Sequence, residues 1–275
     1  SKGSTAILMN VNNGEIISMV SYPDFDLNKR EKIVDLNFIN RATKGVYELG
    51  SVFKTFTVAA GLEEGLINTD TEFLNLEKRL QCGKSSISEY DNKIPSDLTV
   101  EQILIRSGNI GSVRIGQKLK IIKLKAFLEK IGILEKIKFD IEEVGEPIPF
   151  KWGKCKLATV SFGHGITTTP LQLAKAYAII SNGGFAVEPS LIKNELKNYQ
   201  QKKRIIKAGI SEKINPILRK IVTTKEGTAG FVNIEGYEVG GKTGTAQKTI
   251  VGGYSKAKVN TFAGIFPASN PKYVL

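Results

Sequence analysis

Residues 236–247 read GYEVGGKTGTAQ, and two incompatible folds can be built on them. Gly236, Gly241, Lys242 and Thr243 satisfy the spacing G-x-x-x-x-G-K-[ST] of a phosphate-cradling loop. Lys242-Thr243-Gly244 is equally the wall motif of serine acyl-transfer enzymes, where it is carried on a strand. A phosphate loop needs a helix opening at the Lys-Thr pair, because phosphates bind the free N–H groups of that helix start. Residues 244–266, GTAQKTIVGGYSKAKVNTFAGIF, are instead rich in glycine and β-branched residues and lack a 3.6-residue apolar period. The stretch is therefore expected to be a strand, and nucleotide binding is set aside.

The strand reading needs two upstream partners, S-x-x-K at a helix start and S-x-N in a turn. S-x-x-K occurs four times, beginning at Ser51, Ser190, Ser255 and Ser269. Only Ser51 opens a strongly apolar helical stretch, GSVFKTFTVAAGLEEG, with Gly65 as its stop. Ser190 follows Pro189, Ser255 follows Gly-Gly-Tyr and Ser269 precedes Asn-Pro, all loop or strand-start contexts. Ser107-Gly108-Asn109 is the one S-x-N, set between two helical stretches, and Lys242-Thr243-Gly244 is the one K-T-G.

These residue types suit acyl transfer. Three apart on a helix, Ser51 and Lys54 share a face, so a neutral Lys54 can take the Ser51 proton. Desolvation and a second cation, Lys242, would both depress the Lys54 pKa. Asn109 is placed to orient Lys54 and hold a substrate amide, and Ser107 to relay a proton towards the leaving amine. Lys242, Thr243 and Thr245 suit a substrate carboxylate, and Gly244 lets a substrate backbone approach. The N–H groups of Ser51 and Thr245 suit an oxyanion hole, worth about 3–4 kcal/mol per donor. Taken singly, each residue has an ordinary alternative: a helix cap, turn residues or an exposed charge. It is their joint order that argues for chemistry.

Composition is compatible with this. With 41% hydrophobic residues, 275 residues can bury a sizeable core. The net charge of +12 comes from lysines scattered singly, with no basic stripe interleaved with aromatics, and nucleic acid is not expected as a partner. Cys82 and Cys155 lack C-x-x-C spacing and His164 is the only histidine, which argues against a clustered zinc site. One disulfide and two thiols both fit. No apolar run approaches the roughly 20 residues of a membrane span.

Strand patterns occupy both ends: a hairpin over Thr5–Val11 and Glu15–Ser21, then strands near 237–247 and 259–266 and a stub at 273–275. Helices are predicted over 51–65, on both sides of 107–109, at 122–131, 170–182 and about 213–224. Residues 66–98 read as irregular, and a Lys-rich stretch precedes the last helix. The expected fold class is α/β of the α+β type: an antiparallel sheet built from both chain ends, flanked by helices, with a largely helical insertion. The sheet part covers about 1–66 and 205–275 and the helical part about 67–204, with the site in the cleft between them.

With three motifs in this order, the chain resembles the transpeptidase domain of the class B penicillin-binding proteins, and so a β-lactamase/transpeptidase-like fold. AILMNVNNGEIISMVSYPDFDLN, NRATKGVYELGSVFKTFTVAAGLEEG, SFGHGITTTPLQLAKAYAIISNGG and GGKTGTAQ with FAGIFPASNPKYV are all similar to family segments. The stretches Asn40-Arg41-Ala42 and Tyr47-Glu48-Leu49-Gly50 are most like the division-associated, septal branch. The resemblance implies that a peptidoglycan stem peptide ending in D-Ala-D-Ala acylates Ser51, that D-Ala leaves, and that a neighbouring stem amine takes the acyl group. It implies β-lactams as covalent inhibitors of the same serine, no cofactor and no metal. It further implies the periplasmic face of the bacterial inner membrane, an N-terminal anchor outside this chain, and divisome membrane proteins as partners through regions outside it. Leu49 stands where many members have Pro, Gly108 where Ser is frequent, and His164 where Tyr is common.

Two other functions share the motifs. A class A β-lactamase needs a loop glutamate in the pattern E-x-x-L-N, and neither Glu142, Glu143 nor Glu146 is followed by that Leu-Asn. A covalent β-lactam sensor on the same fold differs in the domains attached to it. In the family fold the last of five antiparallel strands lies between the first strand and the strand near 259–266. Residues 1–275 are thus expected to be a single catalytic domain, incomplete at both ends. The last strand, begun by Tyr273-Val274-Leu275, should be short, with Ala6, Leu8 and Ile17 poorly covered.

Overall fold

The structure, a computed structural model, describes residues 3–26, 28, 29, 38–83, 85–193, 203–250 and 253–275. Strands β1 (Ser4–Asn10) and β2 (Ile16–Tyr22) form the first hairpin. Its turn is held by side chains: Asn10 Oδ1 accepts from the Asn12 N–H at 2.8 Å and Asn13 Oδ1 from the Glu15 N–H at 3.0 Å. Such short polar side chains imitate a backbone turn, which is why Asn-Asn-Gly reads as one.

The short strands β3 (Glu72–Phe73) and β6 (Leu98–Thr99) pair with each other, as do β4 (Arg79–Cys82) and β5 (Ser85–Ser88). The C-terminal strands are β7 (Gly240–Ile250), β8 (Gly253–Phe266) and β9 (Tyr273–Val274). The main sheet has the order β2-β1-β9-β8-β7, every neighbouring pair antiparallel, so both chain ends meet in one sheet. At two residues, β9 reaches only Met9 and Asn10 of β1 and Ile265 and Phe266 of β8. Ile7 and Met9 are buried on the inner face, whereas Ala6 and Ile17 are exposed and Leu8 is half-buried.

Helix α1 (Lys54–Glu63), all ten of whose residues are buried, is packed among the other helices and entered through a 3₁₀ turn over Gly50–Phe53 that itself lies against β7. A helix buried on every side must be central, and Phe53, Phe56 and Tyr177 pack edge to face around it. Helices α2 (Val100–Ile105), α3 (Asn109–Lys130) and α4 (Lys154–Val160) make up most of the helical part. Helix α5 (Pro170–Ser181) packs on β1, β8, β9 and α6 (Ala208–Thr223).

Two helix starts carry complete side-chain caps. Thr99 with Gln102 and Thr169 with Gln172 each form a complete capping box, and Pro170 sits in the first turn of α5.

Three expectations change. The helix read at 122–131 belongs to α3, which runs on from Asn109 and is interrupted only at Lys120, with φ 61° and ψ 172°. The "irregular" residues 66–98 contain β3 to β6, strands of two to four residues, too short to show a period of two. Helix α4 has no apolar stripe long enough to announce it. Cys82 at the end of β4 is bonded to Cys155 in α4, so the β4–β5 hairpin is stapled to that helix within the helical part. The Lys-rich stretch, residues 193–207, lies partly outside the described residues.

Candidate active site

Lys242-Thr243-Gly244 lies on β7, which continues through a hairpin into β8. No helix opens there, and this decides the reading of residues 236–247 against a phosphate loop. Lys242 and Lys54 are both fully buried, and both aim at Ser107. Lys242 Nζ donates to Ser107 Oγ at 2.9 Å and to Thr243 O at 3.1 Å. Lys54 Nζ donates to Ser107 Oγ at 3.1 Å, to Asn109 Oδ1 at 2.7 Å, and to Ser107 O. Two donors thus occupy both lone pairs of the Ser107 hydroxyl, leaving its own proton free to be donated elsewhere.

Two positive groups cannot easily share one dry site. Burial lowers the Lys54 pKa from 10.5 to about 7, partly opposed by the Glu89 carboxylate. Lys242 is held well below its usual value by burial first and by the Lys54 charge second. Lys54 is therefore a buried amine that can be neutral near neutral pH, the condition for a base.

Ser107 adopts φ 58°, a left-handed conformation unusual for a residue with a side chain. Such a backbone costs about 1–3 kcal/mol and persists where its surroundings impose it. Here it turns both Ser107 oxygens towards Lys54, between the end of α2 and the start of α3.

Ser51 sits inside the 3₁₀ turn rather than capping it, because Leu49 holds the cap position. Among the described residues Ser51 Oγ makes no hydrogen bond, and the Lys54 amine one turn away is turned to Ser107 and Asn109. Tyr177 Oη donates to Val52 O and accepts from Thr55 Oγ1, both at 2.9 Å, and so fixes the first turn after Ser51.

Backbone contact sets Ser51 against β7. A Cβ added at Gly50, where φ is +66°, would stand 2.5 Å from Thr245 O and 2.9 Å from Thr245 N. A Cβ at Gly244 would collide with Leu49 O. Only glycine permits this approach, which places Thr245 beside the nucleophile turn. Thr243 Oγ1 shares a hydrogen bond of 2.6 Å with Thr228 Oγ1, and exposed Thr245 donates to Asn260 Oδ1 at 3.3 Å.

His164 is not joined to this cluster. Its Nδ1 faces Glu48 Oε2 at 3.4 Å and its ring stacks between Phe162 and Tyr254, whose hydroxyl donates to Glu48 Oε1 at 2.9 Å. This group braces the segment before Ser51 against the β7–β8 hairpin. Sequence reading missed Glu48, Tyr254, Thr228, Asn260 and Glu89. Their partners lie far away in the chain, and the one available signal was a carboxylate, Glu48, inside an otherwise apolar stretch.

A probable peptidoglycan D,D-transpeptidase FtsI of Caulobacter vibrioides is 32% identical over 276 residues, covering 98% of this chain and 46% of the relative. Stage V sporulation protein D of Bacillus subtilis is 32% identical over 289 residues, covering 99% and 44%. The chain spans about half the length of most curated relatives it matches. The apo transpeptidase domain of Burkholderia pseudomallei penicillin-binding protein 3 superposes with a TM-score of 0.86 at 26% identity, covering 99% of this chain and 78% of that one. The family model described as penicillin binding protein transpeptidase domain matches residues 4–275, and the chain belongs to that family.

Proposed function

We propose that this domain is a peptidoglycan D,D-transpeptidase acting through an acyl-enzyme on Ser51. The observation that carries the proposal is the convergence of Lys54 and Lys242 on Ser107 Oγ, with Asn109 Oδ1 bound to Lys54 and Lys54 one helical turn from Ser51. Neutral Lys54 takes the Ser51 hydroxyl proton as Oγ attacks the carbonyl of the penultimate D-Ala. The amide C–N bond breaks, the departing D-Ala amine receives a proton through Ser107, and an ester to Ser51 remains. A stem-peptide amine then attacks that ester, losing a proton to the same relay and restoring the serine. Asn109 orients Lys54, Thr243 and Thr245 grip the terminal carboxylate with Lys242 behind them, and Gly244 admits the substrate backbone. The N–H groups of Ser51 and Thr245 stabilise the oxyanion.

In this reading the sheet part, about 1–66 and 205–275, brings Ser51, Lys54 and Lys242, and the helical part, about 67–204, brings Ser107 and Asn109. The Cys82–Cys155 disulfide supports placement in an oxidising compartment such as the periplasm. Among the described residues no helix is long and apolar enough to cross a membrane. Anchoring at the inner membrane, a septal role and divisome contacts through regions outside this chain belong to the same proposal. Support for the septal role is the likeness of residues 40–50 to the division branch.

None of Glu142, Glu143 and Glu146 stands in the E-x-x-L-N pattern of a hydrolysing loop, which supports transfer over rapid hydrolysis of the acyl-enzyme, and Glu143 accepts from the Asn40 N–H at 2.8 Å. Incubation with nitrocefin tests this. A single stoichiometric burst with a long-lived covalent adduct is expected, whereas continuous rapid turnover would mark a β-lactamase.

A further inference from the structure

The Asn109 amide is held in a definite orientation from outside the three motifs. Its Nδ2 donates to Ser88 O at 2.8 Å. A carbonyl can only accept, so Oδ1 is obliged to face Lys54 Nζ. The next residue, Glu89, places its carboxylate on the first turn of α3, Oε2 accepting from the Asn109 N–H at 2.6 Å and Oε1 from the Ile110 N–H at 2.9 Å. Among the described residues α3 has no side-chain cap from its own N-terminal flank, because Gly108 holds that position. Glu89 supplies the missing cap from across the chain, at the positive end of a helix.

We infer that Glu89 is a positioning residue of the acyl-transfer site, which anchors Asn109 and supplies a negative charge that opposes the buried Lys54 charge. The inference rests on the acylation reading above and deepens it, since it names what sets the pH range of that reaction. The charged and titratable groups around it are Lys54 on α1, which itself faces Lys242 on β7, Tyr90 and Asp91 in its own loop, and Arg106 after α2. Arg106 is paired with Glu226 at 3.7 Å, and Asp91 Oδ1 accepts the Lys93 N–H. Glu89 is the carboxylate that raises the Lys54 pKa against the effect of burial.

Removing the Glu89 charge lowers the Lys54 pKa further, so the neutral amine survives to lower pH and the acid limb of the acylation profile moves down. A cap with only a structural role would instead lower the rate equally at every pH.

The test is the pH profile of penicillin acylation for the 275-residue chain carrying Glu89→Gln, with near-UV circular dichroism as the check on folding. Glu89→Gln keeps an acceptor oxygen for α3 but no charge. Its acid limb is expected to fall by about half a pH unit or more, within the reach of a neighbouring charge. Glu89→Asp, which draws the carboxylate back by one methylene, should shift the limb in the same direction by less and serves if Glu89→Gln does not fold. A limb at the wild-type pH in the folded variants overturns the inference while leaving Ser51 acylation standing. A wild-type chain acylated at no pH overturns the acylation reading, and this inference with it.

Discussion

Lys54→Arg is expected to lower the rate of acylation by penicillin by about three orders of magnitude, in the range that a general base contributes. Lys54 is fully buried, and its pKa stands at about 7 because burial disfavours the charge. Arginine stays protonated under all conditions a protein survives, so it can donate to Ser107 and Asn109 but never accept from Ser51. In the wild type the neutral amine accumulates as pH rises through about 7, and acylation should rise with it. The same shift acts on stability. The unfolded lysine binds its proton at a higher pH than the folded one, so the contribution falls as pH drops from 10.5 to about 7. Below that it is constant, a loss of about 5 kcal/mol in all. Stopped-flow acylation of a folded Lys54→Arg variant within about tenfold of the wild-type rate would remove Lys54 from the role of base.

The second large effect is expected at Gly50, where no motif residue changes. An alanine there takes on φ +66°, a conformation costing about 1–2 kcal/mol, and drives its methyl into the Thr245 backbone. Thr245 and Ser51 supply the two oxyanion donors in this account, so separating their segments by a fraction of an ångström spoils the hole. Gly50→Ala should lose about 100-fold or more in acylation. Gly65 provides the control. Its φ is +65°, yet an added Cβ meets nothing within 4 Å. Gly65→Ala should lower the thermal midpoint and leave acylation within about twofold, since only the backbone strain is shared. Equal losses of acylation in the two variants would mean that strain, and not the Thr245 contact, controls the site.

How much was legible in the sequence depends on the range of each interaction. The hairpin at Asn12-Asn13-Gly14, the helix after Ser51 and the capping boxes at Thr99 and Thr169 are local devices, and each was readable or bears a readable signature. The S-x-x-K, S-x-N and K-T-G motifs were legible because their chemistry needs fixed residue types at fixed short spacing. Glu89 and Ser88 were not, since they act on Asn109 from a strand, and the residue after it, too short to have a period. The Cys82–Cys155 pairing was open for a similar reason: two cysteines permit a bond, and only the meeting of β4 with α4 makes it. The left-handed Ser107 could not be foreseen either, because a serine carries no signal for positive φ. His164 stood out as the lone histidine, and it belongs to a brace with Glu48 and Tyr254 rather than to the lysine cluster.

The central claim is that Ser51, and no other serine, forms the acyl-enzyme. Peptide mapping by mass spectrometry after incubation with a penicillin tests it most directly, with Ser51→Ala run in parallel. The account predicts one adduct per chain, confined to the peptide containing Ser51 and absent from the variant. An adduct on Ser107, Ser190, Ser255 or Ser269, or one that persists in a folded Ser51→Ala chain, would contradict it.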